Sequence, residues 1–324
     1  MTQRSPRLVT VVLPEMTDAQ RMKIERITAS YGYRVRFFQN TEDAMECIDG
    51  TEVLFSTSAK LAESAPNLKW QCSPSAGVNQ FADCEPFISG KAALTCSSGA
   101  YGVTIAEHII MLILEVFRRQ QEYTQIVNER RWTRNLPVRS ILRSRITILG
   151  TGDIGQTTAV RLWAFQPKTI IGVNRSGKNP KDLFDRVITT DELDAVLPKT
   201  DILILSLPGT ADTAHIIGKN ELGLLPDNAL IVNVGRGICI DQKALEEELN
   251  HKRLYAALDV FETEPIPAND SFWECPNLLI TPHVAGDTSL PYTVERIVDL
   301  FLNDFRRYAE GKPFLRPVDL GKGY

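Results

Sequence analysis

Long apolar runs are missing from this chain. Its most apolar extended stretch, residues 105–117, is broken by Glu107, His108 and Glu115, which leaves it short of the ~20 apolar residues a membrane-crossing helix needs. No membrane partner is expected. Near the N-terminus, Arg4 and Arg7 precede only the run 8–13. Pro14 and Glu15 stop that run before it reaches the ~7–15 apolar residues of a secretory signal, so it reads as a first strand. An excess of charge is missing too, because 36 Lys and Arg face 40 Asp and Glu, a formal net charge of -4. That balance gives no electrostatic footprint for nucleic acid, and the local basic stretch of Arg130, Arg131, Arg134, Arg139, Arg143 and Arg145 reads as a solvated arm. None of the six cysteines stands in a C-x-x-C pair. Four of them flank apolar strand-like runs, where a thiol acts as a small hydrophobe, so a cytoplasmic setting is expected and no metal site is. Internal repeats and low-complexity segments are absent as well.

What remains is ordinary globular composition, 43% apolar and 23% charged, which argues against disorder and fibrous repeats. At 324 residues the chain exceeds the size at which one core keeps growing, and two domains are expected. Up to about residue 100, apolar runs at 8–13, 34–38, 53–55 and 92–96 alternate with helix-patterned segments. A second series runs through 146–149, 169–173, 202–207, 230–234, 255–260 and 278–281, with helical segments such as 241–250 between. Runs buried on both faces predict parallel sheets covered by helices. Between the series a long helical pattern, 103–119, opens at Thr104. A last helix, 293–307, is followed by no further strand series, so the tail is expected to return to the first domain and make it discontinuous.

The strand 145–149 runs into Gly150-Thr151-Gly152-Asp153-Ile154-Gly155, a G-x-G-x-x-G turn with a helix-compatible run behind it. In this setting Gly150 permits the tight turn, Gly152 lets the backbone approach a pyrophosphate, and Gly155 lets helix pack closely on strand. The helix N-terminus adds NH donors and partial positive charge, and a dinucleotide cofactor is the expected ligand. Nineteen residues after Gly155, at the ribose-contact position, stands Asn174 and not an acid. Arg175, Ser176 and Lys178 follow it. A carboxylate there would repel the 2′-phosphate of NADP, whereas Arg175 can fork onto it and Ser176 can donate to it. NADP(H) is therefore the expected cofactor, with NAD(H) as the alternative.

Three later segments sit at or just beyond strand ends: Asn233-Val234-Gly235-Arg236-Gly237, Asp259-Val260-Phe261-Glu262-Thr263-Glu264-Pro265, and Thr281-Pro282-His283-Val284-Ala285-Gly286. Open parallel sheets bind ligands beyond those ends. With the glycine turn and Leu207-Pro208-Gly209-Thr210-Ala211-Asp212-Thr213, these segments resemble the D-isomer-specific 2-hydroxyacid dehydrogenase family, and within it the glyoxylate/hydroxypyruvate reductase branch, over nearly the whole chain.

The resemblance implies two doubly wound α/β domains with parallel sheets and an active-site cleft between them. One is a flavodoxin-like substrate-binding domain of residues 1–101 and 288–324, the other a Rossmann-type dinucleotide-binding domain of residues 102–287. It implies that a small 2-keto acid is reduced to a D-2-hydroxy acid. Arg236 binds the substrate carboxylate and polarises the keto oxygen, His283 donates the proton, and Glu264 orients the imidazole. A guanidinium fork suits a carboxylate and histidine titrates near operating pH, so the chemistry agrees. Ser75, Ala76, Gly77 and Val78 look like the family's second carboxylate anchor. Thr104, Ser206, Leu207, Pro208, Thr213, Val234, Gly235 and Asp259 match positions lining the cofactor. The family also implies a homodimer through the 103–140 region, in which Trp132 either reaches a neighbouring active site or is an ordinary tryptophan. One departure is the sequence Asp287-Thr288-Ser289-Leu290-Pro291, where the family often has Thr-x-Glu. The alternative is a non-enzymatic, dinucleotide-sensing corepressor on the same fold. Of the other histidines, His108 reads as a packed or interface residue, His251 as a helix C-terminal cap, and His215 is assigned no chemistry.

Overall fold

The apolar runs of the first series form a five-stranded parallel sheet. Its strands are β1 (Arg7–Val12), β2 (Tyr33–Phe38), β3 (Thr51–Phe55), β4 (Trp70–Ser73) and β5 (Ala93–Cys96), ordered β2-β1-β3-β4-β5. Helices α1 (Asp18–Ala29), α2 (Thr41–Met45), α3 (Ala59–Ser64) and α4 (Glu85–Ile88) connect them. Thr17 starts α1 through a capping box: its hydroxyl accepts from Gln20 N at 3.3 Å, and Gln20 Oε1 accepts from Thr17 N at 2.9 Å, so two of the helix's orphan donors are satisfied reciprocally. Strand β4 was not expected from the sequence. Its Gln71 interrupts the apolar pattern yet is buried, because Nε2 donates to Ser56 O at 2.7 Å.

The second series opens with α5 (Gly102–Phe117) and α6 (Gln120–Asn128). Seven parallel strands follow: β6 (Arg145–Leu149), β7 (Thr169–Val173), β8 (Arg186–Ile188), β9 (Ile202–Leu205), β10 (Leu230–Asn233), β11 (Tyr255–Leu258) and β12 (Leu278–Ile280). They are ordered β12-β11-β10-β9-β6-β7-β8. Helices α7 (Asp153–Leu162), α8 (Leu193–Val196), α9 (Lys219–Leu224) and α10 (Gln242–Asn250) lie between them. Every residue of β9 and β10 is buried, as a strand covered on both faces requires. Asp241 caps α10 by accepting from Ala244 N at 2.9 Å. The short β8 was also not expected, since its three residues begin with an exposed arginine. Strand order reverses between β6 and β9, and the carboxyl end of such a switch point is where open α/β sheets take ligands.

The final helix, α11 (Pro291–Ala309), belongs with the first sheet. Val294, Ile297, Val298, Phe301 and Phe305 recur at helical spacing on its buried face. There Phe301 stacks on Phe55 at 4.2 Å and on Trp70 at 5.4 Å between ring centroids. Buried Asp304 pairs with Arg316 at 2.7 Å and Val318 N donates to Leu94 O at 2.9 Å, which fastens the tail beside β5. The computed structural model describes residues 7–321, and these divide into two units, residues 7–101 with 288–321 and residues 102–287. Residues 1–6, Arg4 among them, and 322–324 lie outside the described residues of the expected first domain. Five cysteines are buried and Cys47 is exposed. Among the described residues no helix is long and apolar enough to cross a membrane.

Candidate active site

The glycine turn between β6 and α7 uses each of its glycines differently. Gly150 has φ +97, and a Cβ there would meet Ser206 O at 2.7 Å; a Cβ on Gly155 would meet Gly150 O at 2.0 Å. Those two positions are closed by the protein itself. A Cβ on Gly152 would meet nothing within 4 Å, so the bare backbone there faces open space at the start of α7, where no side chain caps the helix. NH groups so presented suit an anion. Ser206 Oγ braces the turn by donating to Gly150 O at 3.1 Å. The Asp153 carboxylate lies against the first turn of α5, which carries Thr104, since a Cβ on Gly102 would come within 2.6 Å of Asp153 Oδ2. Ile154 follows on α7.

Beyond β7, Asn174 organises the basic loop. Its Nδ2 donates to Thr151 Oγ1 at 2.6 Å and Lys178 O at 3.0 Å, while Oδ1 accepts from Ser176 N at 2.9 Å and Ser176 Oγ at 3.1 Å. A carboxamide has two donor hydrogens and two lone pairs on oxygen, and all four are in use. The residue expected to contact the ribose therefore shapes the loop that presents Arg175 and Ser176.

The ends of β9, β10 and β11 meet in close crossings that only glycine permits. A Cβ on Gly235 would lie 2.6 Å from Leu207 O, and one on Gly237 would lie 1.8 Å from the Phe261 carbonyl carbon. Asn233 closes the loop between them, donating to Arg236 O at 2.9 Å and accepting from Gly235 N at 3.0 Å. Arg236 is thereby fixed at the carboxyl edge, with Nη1 donating to Gly235 O at 2.7 Å. Burial pulls its pKa below the ordinary value, and nearby Glu264 opposes that shift. Val234 is buried, its NH donating to Leu205 O at 3.1 Å. The Leu207 to Thr213 loop folds on itself, Thr213 Oγ1 donating to Pro208 O at 2.6 Å.

Next to Arg236, Glu264 accepts from Phe261 N at 2.9 Å through Oε1 and meets His283 Nδ1 at 2.6 Å through Oε2. One carboxylate oxygen is held by the backbone, and the other orients the ring. His283 is half exposed, at 49% of its side chain, so a ring nitrogen other than the one Glu264 holds is free to exchange protons with a ligand or solvent. Its backbone is left-handed, φ +53, a conformation that costs a non-glycine residue roughly 1–2 kcal/mol. Asp259 holds it there: its main-chain carbonyl accepts from His283 N at 2.9 Å, and its carboxylate accepts from Thr281 Oγ1, Val284 N and Ala285 N at 2.6, 2.9 and 3.0 Å.

In the first unit, the loop after β4 is built separately. Ser75 Oγ donates to Gly77 O at 2.6 Å, Tyr101 Oη donates to Pro74 O at 2.8 Å and Ser97 Oγ donates to Ser73 O at 2.9 Å. Val78 is buried in the core, while Ala76 is exposed. With the Ser75 hydroxyl and the Val78 side chain engaged, and Ser75 N donating to Ser73 Oγ at 3.3 Å, the main-chain NH groups from Ala76 to Val78 are what the loop has to offer an anion.

Sequence reasoning missed two groups around these residues. His108 meets Thr281 Oγ1 at 3.1 Å behind the His283 turn, and His215 meets Glu262 Oε1 at 2.8 Å on the surface. Neither spacing is periodic, and only the chain's path brings the partners together.

Residues 110–285 match the family model described as D-isomer specific 2-hydroxyacid dehydrogenase, NAD binding domain. Glyoxylate/hydroxypyruvate reductase A of Escherichia fergusonii is 33% identical over 226 residues, covering 69% of this chain and 70% of that protein. Among solved structures, a D-isomer specific 2-hydroxyacid dehydrogenase family protein from Aeromonas salmonicida is similar with a TM-score of 0.86 at 28% identity, covering 98% of this chain and 100% of the other. An NADPH-dependent glyoxylate/hydroxypyruvate reductase from Sinorhizobium meliloti, in complex with NADP and sulfate, has a TM-score of 0.78 at 26% identity, covering 98% of this chain and 100% of its own.

Proposed function

Because the chain belongs to the D-isomer specific 2-hydroxyacid dehydrogenase family, which includes dehydrogenases of 2-hydroxy acids and reductases of the matching 2-keto acids, we propose that it reduces glyoxylate and hydroxypyruvate with NADPH. The observation that carries the reading is the His283–Glu264 pair, closed at 2.6 Å with the imidazole half exposed beyond the end of β12. In this reading the Arg236 guanidinium forks onto the substrate carboxylate and polarises the keto oxygen. His283 gives that oxygen its proton, and Glu264 orients the imidazole through Nδ1. In the loop from Ser75 to Val78, the main-chain NH groups of Ala76, Gly77 and Val78 are proposed as a further anchor for the carboxylate.

The open backbone face at Gly152 fits a dinucleotide's pyrophosphate, with the first NH groups of α7 as donors. Around it Thr104, Gly150, Asp153, Ile154, Gly155, Ser206, Leu207, Pro208, Thr213, Val234, Gly235 and Asp259 are proposed to line the cofactor. Arg175 and Ser176 would take the 2′-phosphate, on the loop that Asn174 braces. NADPH, when bound, supplies the hydride. A homodimer is proposed through the 103–140 region, where Met111, Val127, Trp132 and Val138 are exposed and Trp132 is 92% so. The cytoplasm is the proposed compartment, on the use of the cysteines as buried thiols.

The test is a panel of glyoxylate, hydroxypyruvate and pyruvate, each with NADPH and NADH. The expected result is turnover of the first two with NADPH preferred. An Arg175→Ala variant should lose roughly tenfold to a hundredfold of that preference, the equivalent of one charged hydrogen bond. Tight NADPH binding without turnover of any keto acid would overturn the reading in favour of a dinucleotide sensor. A wild-type preference for NADH would overturn the cofactor assignment alone.

A further inference from the structure

Behind the His283 turn lies a polar cluster that the proposed chemistry does not use. His108 projects from the apolar helix α5 with its side chain only 12% exposed, and its Nε2 stands 3.1 Å from Thr281 Oγ1 and 3.6 Å from Asp259 Oδ1. Thr281 Oγ1 is itself 2.6 Å from that same carboxylate oxygen.

Counting hydrogens assigns the direction of each bond. Asp259 is buried and accepts from two main-chain NH groups, Val284 N and Ala285 N, so it is the acceptor for Thr281 as well. A hydroxyl has one hydrogen. With that hydrogen on the bond to Asp259, Thr281 Oγ1 can meet His108 only through a lone pair, and His108 Nε2 must carry the proton. Burial pulls the His108 ring below its ordinary pKa, while Asp259, Glu115 and Asp287, the charges that face it, pull upward, and the net shift is downward. A neutral ring protonated at Nε2 satisfies every bond. Asp259 then holds three donors on two oxygens, which together have about four lone-pair sites, so room for one more donor remains.

The cluster ends on His283. The left-handed φ of +53 at that residue persists only where surrounding bonds over-determine it, and the bonds that do so converge on Asp259. His108 is the outermost link, fixing the Thr281 rotamer whose hydroxyl points at the carboxylate.

We propose that His108 and Asp259 are positioning residues for proton transfer: with Thr281 they hold the 281–285 turn in the conformation that presents the His283 imidazole to Glu264 and to substrate. This rests on the reading of His283 as the proton donor. A histidine that merely fills its place in the core would affect folding and leave the reaction's dependence on His283 untouched.

A double-mutant cycle separates the two. His108→Leu removes the Nε2–H donor, and His108→Gln keeps an N–H at similar reach. Each is made in the wild-type and in the His283→Asn background, and kcat for hydroxypyruvate and the NADPH Kd are measured. The expected result is that His108→Leu lowers kcat roughly tenfold, on the scale of one buried hydrogen bond, with Kd unchanged within about twofold, and that His108→Gln restores most of the rate. In the His283→Asn background His108→Leu should change kcat by less than about twofold, because a residue acting through His283 has nothing left to position. An equal loss in both backgrounds, an equal loss for Leu and Gln, or no loss at all would overturn the proposal. If His283→Asn alone kept full turnover, the proton-donor reading would fail first and take the proposal with it.

Discussion

Two histidine–carboxylate pairs in the second unit share their chemistry and differ in almost everything else. His283 and Glu264 meet at 2.6 Å with 49% and 33% of their side chains exposed, whereas His108 and Asp259 stand 3.6 Å apart at 12% and 1%, with a threonine hydroxyl between them. An exposed imidazole held by one nitrogen can exchange a proton through the other at every turnover. A buried imidazole beside a carboxylate that already accepts three hydrogen bonds has no such traffic and can only keep a shape. Residue type does not distinguish these two pairs, but access to solvent and the number of converging donors do.

The largest expected effect breaks the comparison outright. His283→Asn should lower kcat by roughly 10²–10⁴-fold, the usual yield of general acid–base catalysis, with the NADPH Kd and the denaturation midpoint little changed. Turnover equal to wild type would move the chemistry to another group. Asp259→Asn is the counterpart in the buried pair. An amide cannot accept all three converging hydrogen bonds, so this variant should lose roughly 1–3 kcal/mol of folding stability, read by urea denaturation, in addition to rate. An unchanged midpoint would mean that the turn is held by something other than this carboxylate. Glu264→Gln sharpens the contrast from the exposed side. It preserves the shape and removes the charge, and should cost roughly tenfold in kcat, about 1.4 kcal/mol, with stability nearly unaffected. A loss of stability as large as that of Asp259→Asn would erase the distinction between the pairs.

How much of this was legible in the sequence follows from where the information lies. Strands β9 and β10 are buried at every residue and read directly as apolar runs, and the glycine turn, Arg236, Glu264 and His283 stand at strand ends where parallel sheets place ligands. Strand β4 was not legible, because Gln71 is buried through a hydrogen bond to a carbonyl and not through apolarity. Strand β8 is too short to have a period. The role of Asn174 was hidden because Thr151, its partner, lies on the preceding turn 23 residues away, so a residue read as a ligand contact supports the loop. His108 was hidden most completely. A single polar residue on an apolar helix says nothing of a threonine 173 residues later in the chain, and the bond between them exists only once α5 has packed against the end of β12.

The central claim is that His283 carries the proton, and the pH dependence of kcat/KM in both directions tests it most directly. In the proposed reaction, reduction of hydroxypyruvate takes a proton from the ring and oxidation of the hydroxy acid gives one back, so the reduction rate should fall and the oxidation rate should rise as pH increases. The account predicts that both trends disappear in His283→Asn. Wild-type profiles that are flat in both directions, or trends that survive in His283→Asn, would contradict it.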